Sequence, residues 1–184
     1  GISLEKTQKY SQGPSKPGMF DVMKWAAEQF QECLLDSPQA EFARKYLGER
    51  KLSGETVRKF GLGFAPPEWE WLTTRAANAG KSADLLESVG LIGKRKEGKG
   101  HYDRFRDRVM FLIRDLQGRI IAFGGRILPS SPVSPEQPAA KYINSAETPL
   151  FSKSDQLYGL DIAKVAADKA GYLAIVEGYT DVMM

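Results

Sequence analysis

The feature that most constrains the fold is a pair of apolar runs joined by a four-residue turn. Residues 109–113 are continuously apolar, residues 115–118 read Asp-Leu-Gln-Gly, and residues 119–123 become apolar again after one arginine. This order of run, turn and run predicts an antiparallel hairpin. Because short helices are predicted around it, we expect an α+β fold in which small helices pack on a mixed or antiparallel sheet.

The helices are predicted from the spacing of apolar residues and from capping residues. The first begins at Asp21, and the second, capped by Ser37, closes at Gly48. A third opens at Ser53 and stops at Gly61. Further helices are predicted over residues 72–79, 82–89 and 160–170.

Composition and length bound the class of protein. The 184 residues suffice for one domain, or for one domain and a fragment of another, and residues 1–18 have the Ser, Gly and Pro content of a linker. Cys33 is the single cysteine, so it forms neither an internal disulfide nor a thiolate zinc site, and we expect it in the core. No run approaches the roughly 20 apolar residues of a membrane span, and no signal peptide is evident, so we expect a soluble cytoplasmic protein without membrane contact.

The net charge of +3 is unevenly distributed along the chain. Residues 1–93 carry 12 basic and 12 acidic side chains, residues 94–126 carry 10 and 4, and residues 127–184 carry 4 and 7. The basic third includes residues 94–100, a loop punctuated by glycines that we place between strands. Such a concentration of cations suggests a polyanionic partner, because Lys and Arg displace counterions from phosphates. The alternative is a solvated basic face.

Three groups of side chains in and after this third could bind phosphates. Arg104, Arg106 and Arg108 alternate, so on an extended chain they would lie on one side. Arg126 follows two glycines that allow close approach of a ligand. Residues 141–144, which follow a proline-rich excursion, offer a lysine, a tyrosine and an asparagine to one ligand; the alternative is an edge strand with polar decoration.

The aromatic residues and the histidine have simpler interpretations. Trp69 and Trp71 could stack on nucleic-acid bases, but two aromatic residues beside a helix start are more often packing anchors, so we expect both in the core. His101 is the single histidine and cannot head a multi-histidine metal site, so we interpret it as a loop residue.

The pattern of the last residues predicts a strand that is followed by a carboxylate side chain. Residues 173–176 are apolar and bounded by Gly171 and Gly178, which predicts a strand buried on both faces, as in parallel sheets. Glu177 follows directly, and the carboxyl end of such a strand is where open α/β sheets bind ligands. The alternative is a strand-end charge that points at solvent.

Taken together, these motifs resemble the bacterial DNA primase family of the DnaG type. The matching segments are residues 60–67, 102–111, 113–115, 123–126, 141–145, 157–159 and 176–181. The resemblance covers roughly residues 19–184, and Leu112 departs from it, since proline is common there in the family. It implies that residues 1–18 are a linker from a missing zinc-binding domain, residues 19–170 the N-terminal subdomain of the catalytic core, and residues 171–184 the truncated start of a Toprim subdomain.

The resemblance also implies an activity: synthesis of short RNA primers from ribonucleoside triphosphates on a single-stranded DNA template. Glu177 would be a catalytic acid and a ligand of Mg²⁺ or Mn²⁺ in the full-length enzyme, whereas zinc would be confined to the missing N-terminal domain. With further acids expected only beyond Met184, we expect this fragment to be inactive. Its partners would include an RNA–DNA hybrid and, through a missing C-terminal domain, the replicative helicase. The template and nucleotide groove would be lined by Arg104, Arg106, Arg126, Lys141, Tyr142, Asn144 and Arg44.

Two other function classes share parts of this pattern. A different Toprim enzyme, such as a topoisomerase or nuclease, would share the strand and Glu177 but lack the arginine-rich hairpin. A single-stranded DNA-binding module would use the basic groove without an acid cluster. The residues that follow Met184 would distinguish these classes.

Overall fold

The computed structural model describes residues 14–95, 100–129 and 140–183. The helices are α1 (Lys16–Asp36), α2 (Glu41–Glu49), α3 (Gly54–Phe60), α4 (Trp71–Asn78), α5 (Ala83–Ser88) and α6 (Leu160–Ala170). The strands are β1 (Gly63–Ala65), β2 (Ile92–Lys94), β3 (His101–Asp103), β4 (Arg108–Arg114), β5 (Ile120–Ile127) and β6 (Tyr142–Asn144). Short 3-10 helices cover Pro38–Ala40, Lys153–Asp155 and Asp181–Met183.

The strands form two antiparallel sheets. The larger sheet has the order β1-β4-β5-β6, and β2 pairs with β3 in the smaller one. The predicted hairpin is confirmed as β4 and β5, in which Phe111 lies opposite Gly124. On the other side of β5, Arg126 lies opposite Tyr142 of the edge strand β6. The α+β fold class is therefore confirmed.

The two faces of the larger sheet are covered by different elements. Helix α1 covers one face, where Phe30 packs edge-on against Phe123 and lies so close to Gly63 that an added Cβ would come within 2.5 Å of the Phe30 Cβ. Helices α2 and α3 and the C-terminal segment cover the other face, which carries Phe64 and Phe111. Cross-strand register places Arg126 and Tyr142 on this second face.

The predicted helices are present, with differences in the first 70 residues. Ser37 caps the 3-10 helix Pro38–Ala40 and not α2, which begins at Glu41 and extends past Gly48 to Glu49. Helix α1 begins at Lys16, with Ser15 as its N-cap, so the last residues of the predicted linker are helical. Strand β1 was not predicted, because three residues between Gly and Pro carry no periodic signal of their own. Helices α3 and α6 have their predicted bounds, and Cys33 is buried in α1. His101 is not a loop residue but the first residue of β3.

The predicted strand at residues 173–176 is wrong. These residues lie outside both sheets, and Ile175 is 76% exposed. A buried strand needs neighbours on both sides for its backbone groups, and the part of the chain that the structure describes places none beside this segment. Glu177 is correspondingly exposed.

Three predictions fall wholly or partly outside the described residues: residues 1–13 of the linker, residues 96–99 of the basic loop and residues 130–138 of the proline-rich excursion. Within the described ranges, no helix combines the length and the apolar character that crossing a membrane requires.

Candidate nucleic-acid interface

Arg126 of β5 is held between two tyrosine rings. Its Cζ lies 5.2 Å from the ring centroids of both Tyr46 and Tyr142, and its Nη1 donates a hydrogen bond of 2.6 Å to the Tyr142 hydroxyl. The side chain is buried, and among the described residues its Nε has no hydrogen-bond partner and its charge has no carboxylate partner. Aromatic faces stabilise a guanidinium that has lost water, but they leave its N–H donors unsatisfied.

Arg50 extends this arrangement from the helical layer. Its Cζ lies 5.3 Å from the Tyr46 ring centroid, so Tyr46 contacts two guanidiniums. Burial raises the pKa of Tyr46, while Arg126 and Arg50 oppose that shift, and the phenol stays neutral at neutral pH. We call Arg50, Tyr46, Arg126 and Tyr142 the arginine–tyrosine cluster. The sequence analysis identified neither Tyr46 nor Arg50 as a candidate site residue; their i, i+4 spacing was the available signal.

Tyr179 fixes the C-terminal segment beside this cluster. Its ring stacks on Phe111 with centroids 4.8 Å apart, and its hydroxyl donates a hydrogen bond of 2.8 Å to Asn144 Oδ1. Gly124 makes this approach possible, because a Cβ there would lie 2.7 Å from the Tyr179 ring. Burial raises the pKa of Tyr179 to about 12, and the hydrogen bond to Asn144 acts in the opposite direction.

Glu177 lies two residues before Tyr179, a separation of at most about 7 Å between Cα atoms. Its carboxylate is exposed, and a carboxylate is the ligand type that Mg²⁺ and Mn²⁺ take. Glu177 thus fits as one ligand of such an ion. The described ranges contain no group of three or more His, Cys, Asp or Glu side chains that could hold a metal, so these residues do not complete a site.

Comparison with known proteins decides what this arrangement belongs to. The family model described as the N-terminal domain of the DNA primase catalytic core matches residues 30–164, which is most of the chain. The chain belongs to the DNA primase family. The resemblance inferred from the sequence motifs is therefore confirmed.

Curated and solved primases support the same assignment. The chain is 46% identical to the DNA primase of Synechococcus elongatus over 167 residues, which are 90% of this chain and 23% of that protein. It spans about a quarter of the length of the curated relatives it matches.

Three solved primase structures share the fold. The RNA polymerase domain of Mycobacterium tuberculosis primase DnaG, in complex with a double-stranded DNA oligomer with a 6-nucleotide overhang, has a TM-score of 0.84 at 36% identity, covering 93% of this chain and 51% of that chain. A DnaG primase catalytic domain bound to single-stranded DNA has a TM-score of 0.77 at 38% identity, covering 91% and 49%. The zinc-binding and RNA polymerase domains of Aquifex aeolicus primase have a TM-score of 0.77 at 30% identity, covering 100% and 41%.

The remaining residues predicted for the primase groove lie in different places. Lys141 is exposed and directly precedes Tyr142, at the end of β6 nearest the cluster. Arg104 is exposed after β3. Arg106 contacts Trp69 and donates a hydrogen bond to the carbonyl of Asp103, and nothing in its contacts joins it to the cluster.

The predicted alternation of Arg104, Arg106 and Arg108 on one side of a strand is wrong. Strand β4 begins only at Arg108, and Asp107 before it has φ of 53°, a left-handed conformation that breaks the extended chain. The three guanidiniums consequently do not form one row.

Arg44, which was predicted to line the groove, makes hydrogen bonds at the C-terminal end of α1. Its Nη1 donates hydrogen bonds of 2.8 Å to the carbonyl oxygens of Leu34 and Ser37, at the C-terminal end of α1. The Leu34 carbonyl lies in the last turn of α1, where carbonyls have no partner within the helix, and the Ser37 carbonyl also accepts from the Ala40 N–H. A cation beside them also complements the helix dipole. The guanidinium is therefore occupied at the junction of α1 and α2.

Proposed function

We propose that this chain forms the surface that holds the single-stranded template and the incoming ribonucleotide in an enzyme that synthesises short RNA primers. The observation that carries the proposal is the state of Arg126: a buried guanidinium whose Nε lacks a partner among the described residues. A buried charge without a counter-ion is costly, and a phosphate supplies both the opposite charge and the hydrogen-bond acceptors.

The neighbours of Arg126 suit the same ligand. Arg50 and Lys141 add positive charge on either side, and Tyr142 and Asn144 add polar groups on the edge strand. Relatives solved with a DNA overhang and with single-stranded DNA support a nucleic-acid ligand. Cations placed around a transferring phosphoryl group also stabilise the charge that develops on it.

Glu177 is the proposed acid of the reaction. In the full-length enzyme it would be one ligand of Mg²⁺ or Mn²⁺, an ion that, when bound, polarises phosphoryl oxygens. The contact of Tyr179 with Asn144 keeps Glu177 close to the phosphate-binding residues. Residues 171–184 would then begin the Toprim subdomain, and residues 19–170 would form the subdomain before it.

The other partners of the whole enzyme are also proposals. They are ribonucleoside triphosphates, the RNA–DNA hybrid product and the replicative helicase, with the protein working in the cytoplasm at replication forks. Zinc would belong to a separate domain, as the zinc-binding domain of the Aquifex aeolicus chain suggests.

Primer synthesis by the full-length protein on a single-stranded template tests this function. We expect Glu177→Gln to reduce product by at least about 100-fold, because one carboxylate of the reacting site is removed. Glu28→Gln makes the same chemical change on the exposed face of α1 and should leave the product unchanged. Full activity of Glu177→Gln would refute the role of this acid, and absence of any RNA product from the wild type would refute the function.

A further inference from the structure

Tyr46 and Trp69 each lie beside two guanidiniums, but the two rings differ in burial. Trp69 is 56% exposed, so its prediction as a core residue is wrong. Its neighbour Trp71 is partly buried and stacks on Phe30 with centroids 5.9 Å apart, as predicted for a packing anchor. Tyr46 is only 9% exposed. The attraction between a cation and a ring face increases when water is excluded, so the burial of Tyr46 strengthens its hold on the arginines beside it.

The guanidiniums beside Tyr46 have no acidic partner among the described residues. Arg95, which lies beside Trp69, pairs with Glu70 at 2.5 Å. Neither Arg126 nor Arg50 forms such a pair within the described ranges. Like charges repel one another, and the negative face of a neutral ring that contacts both offsets part of this repulsion. The Tyr46 ring thus takes the place that a carboxylate has beside Arg95.

The position of the Tyr46 ring is fixed by the fold. The backbone N–H of Arg50 donates a hydrogen bond of 3.2 Å to the Tyr46 carbonyl, so both residues belong to the last turn of α2. The ring belongs to the core cluster that also contains Leu47 and Phe64. Its hydroxyl has no hydrogen-bond partner among the described residues. The contacts that Tyr46 makes in the cluster are therefore contacts of its ring.

We propose that Tyr46 is a positioning residue for phosphate binding: its ring face holds the guanidiniums of Arg126 and Arg50 in place before a ligand arrives. The proposal rests on the proposed function, since it assumes that Arg126 binds phosphate. An arginine side chain loses rotamer freedom when a ligand fixes it, and a side chain that is already held loses less. Removal of the ring should therefore weaken binding through the arginines, although Tyr46 itself need not touch the ligand.

Fluorescence anisotropy of a labelled oligothymidylate titrated with the chain tests this role. We expect Tyr46→Leu to weaken binding at least about fivefold, and Tyr46→Phe, which keeps the ring face, to stay within about twofold of the wild type. Phe42→Leu is the matched control, because it also removes a ring from α2. Phe42 packs edge-on against Phe64 with centroids 5.3 Å apart, and no guanidinium lies over it among the described residues. Its change in affinity should be below about 1.5-fold.

A double-mutant cycle separates positioning from packing. In the Arg126→Ala background the guanidinium that the ring holds on β5 is absent, so we expect Tyr46→Leu to weaken the remaining binding by at most about twofold. A general packing defect would reduce affinity by the same factor with or without Arg126. Equal factors in the two backgrounds would overturn the proposal.

A series of rings of nearly constant shape tests the same point without a large change in packing, and it decides if Tyr46→Leu does not fold. Fluorine withdraws electron density from the face of a ring and so weakens its attraction for a cation. We expect phenylalanine, fluorophenylalanine and trifluorophenylalanine at position 46 to bind the oligonucleotide progressively more weakly, by about threefold across the series. Affinity that does not depend on fluorination would overturn the proposal.

The outcomes separate this proposal from the proposed function. If Arg126→Ala weakens binding while Tyr46→Leu does not, the positioning role is refuted and the proposed function stands. If Tyr46→Phe is as weak as Tyr46→Leu, the hydroxyl acts and not the ring face, which also refutes the role. Binding by Phe42→Leu as weak as that by Tyr46→Leu would show that any loss of a ring from α2 has this effect. No binding by the wild type overturns both proposals.

Discussion

Two buried arginines on adjacent strands of one sheet differ in how their hydrogen-bond donors are satisfied. Arg108 of β4 faces α1, and its Nη1 donates to the carbonyl oxygens of Gly125 and Ala140 at 3.1 Å and 3.0 Å. Arg126 of β5 faces α2, donates to one phenol and leaves its Nε unsatisfied within the described residues. Both side chains are less than 10% exposed. The comparison teaches that burial alone does not make an arginine a candidate for ligand binding; unsatisfied donors do.

The largest expected effect is a loss of stability when the Arg108 side chain is removed. We expect Arg108→Ala to lower the free energy of unfolding by about 3 kcal/mol, because the carbonyls of Gly125, which is buried, and of Ala140 lose a charged donor. Urea denaturation measures this. Arg58→Ala is the control, since Arg58 is exposed and makes one local hydrogen bond to Gly54 within α3, so a change of under about 0.5 kcal/mol is expected. Equal losses of unfolding free energy in Arg108→Ala and Arg58→Ala would contradict the structural role of Arg108.

The stability that the buried Tyr179 provides should be lost at alkaline pH. The pKa of Tyr179 is raised to about 12 by burial, from 10.0, so the folded state keeps its proton where the unfolded state loses it. The protonated Tyr179 phenol therefore contributes about 2 kcal/mol to the free energy of unfolding. This contribution is complete below pH 10 and is lost as the pH rises from 10 to 12. Urea denaturation across this pH range should show a shallower decline for Tyr179→Phe. A decline as steep as that of the wild type would show that Tyr179 is not buried as described.

A methyl group on β5 should separate the C-terminal segment from the sheet. In Gly124→Ala the new Cβ would lie 2.7 Å from the Tyr179 ring, so we expect a loss of about 1.5 kcal/mol and displacement of Tyr179. Hydrogen exchange in residues 177–183 should become faster while β4 is unaffected. Gly48→Ala, which places a Cβ in open space, should cause neither change. Unchanged exchange in Gly124→Ala would contradict the anchoring role of Tyr179.

Local sequence signals predicted the elements that local residues determine. Helix α3 could be predicted because the residues at its ends act locally. The Ser53 side chain accepts a hydrogen bond from the Thr56 N–H at its start, and Gly61 adopts φ of 68° at its end. The hairpin of β4 and β5 was found from its turn. Both features depend on residues within a few positions, which a single sequence displays.

The features that were missed depend on distant partners. Strand β1 exists because β4 pairs with it, and the exposed residues 173–176 have no such partner among the described strands. The arginine–tyrosine cluster joins α2, β5 and β6, and Arg50 enters it only through Tyr46. The backbone conformation of a single residue could not be predicted either: nothing in the sequence indicated the positive φ of Asp107.

The most direct test of the difference between the two arginines measures binding and stability on the same variant. Single-stranded DNA affinity, by fluorescence anisotropy across a salt series, and the urea midpoint are determined for wild type and Arg126→Ala. We predict a loss of affinity of about tenfold or more, a salt slope smaller by about 0.7, and a stability change below about 1 kcal/mol. Unchanged affinity and slope, or a stability loss as large as that of Arg108→Ala, would contradict the account.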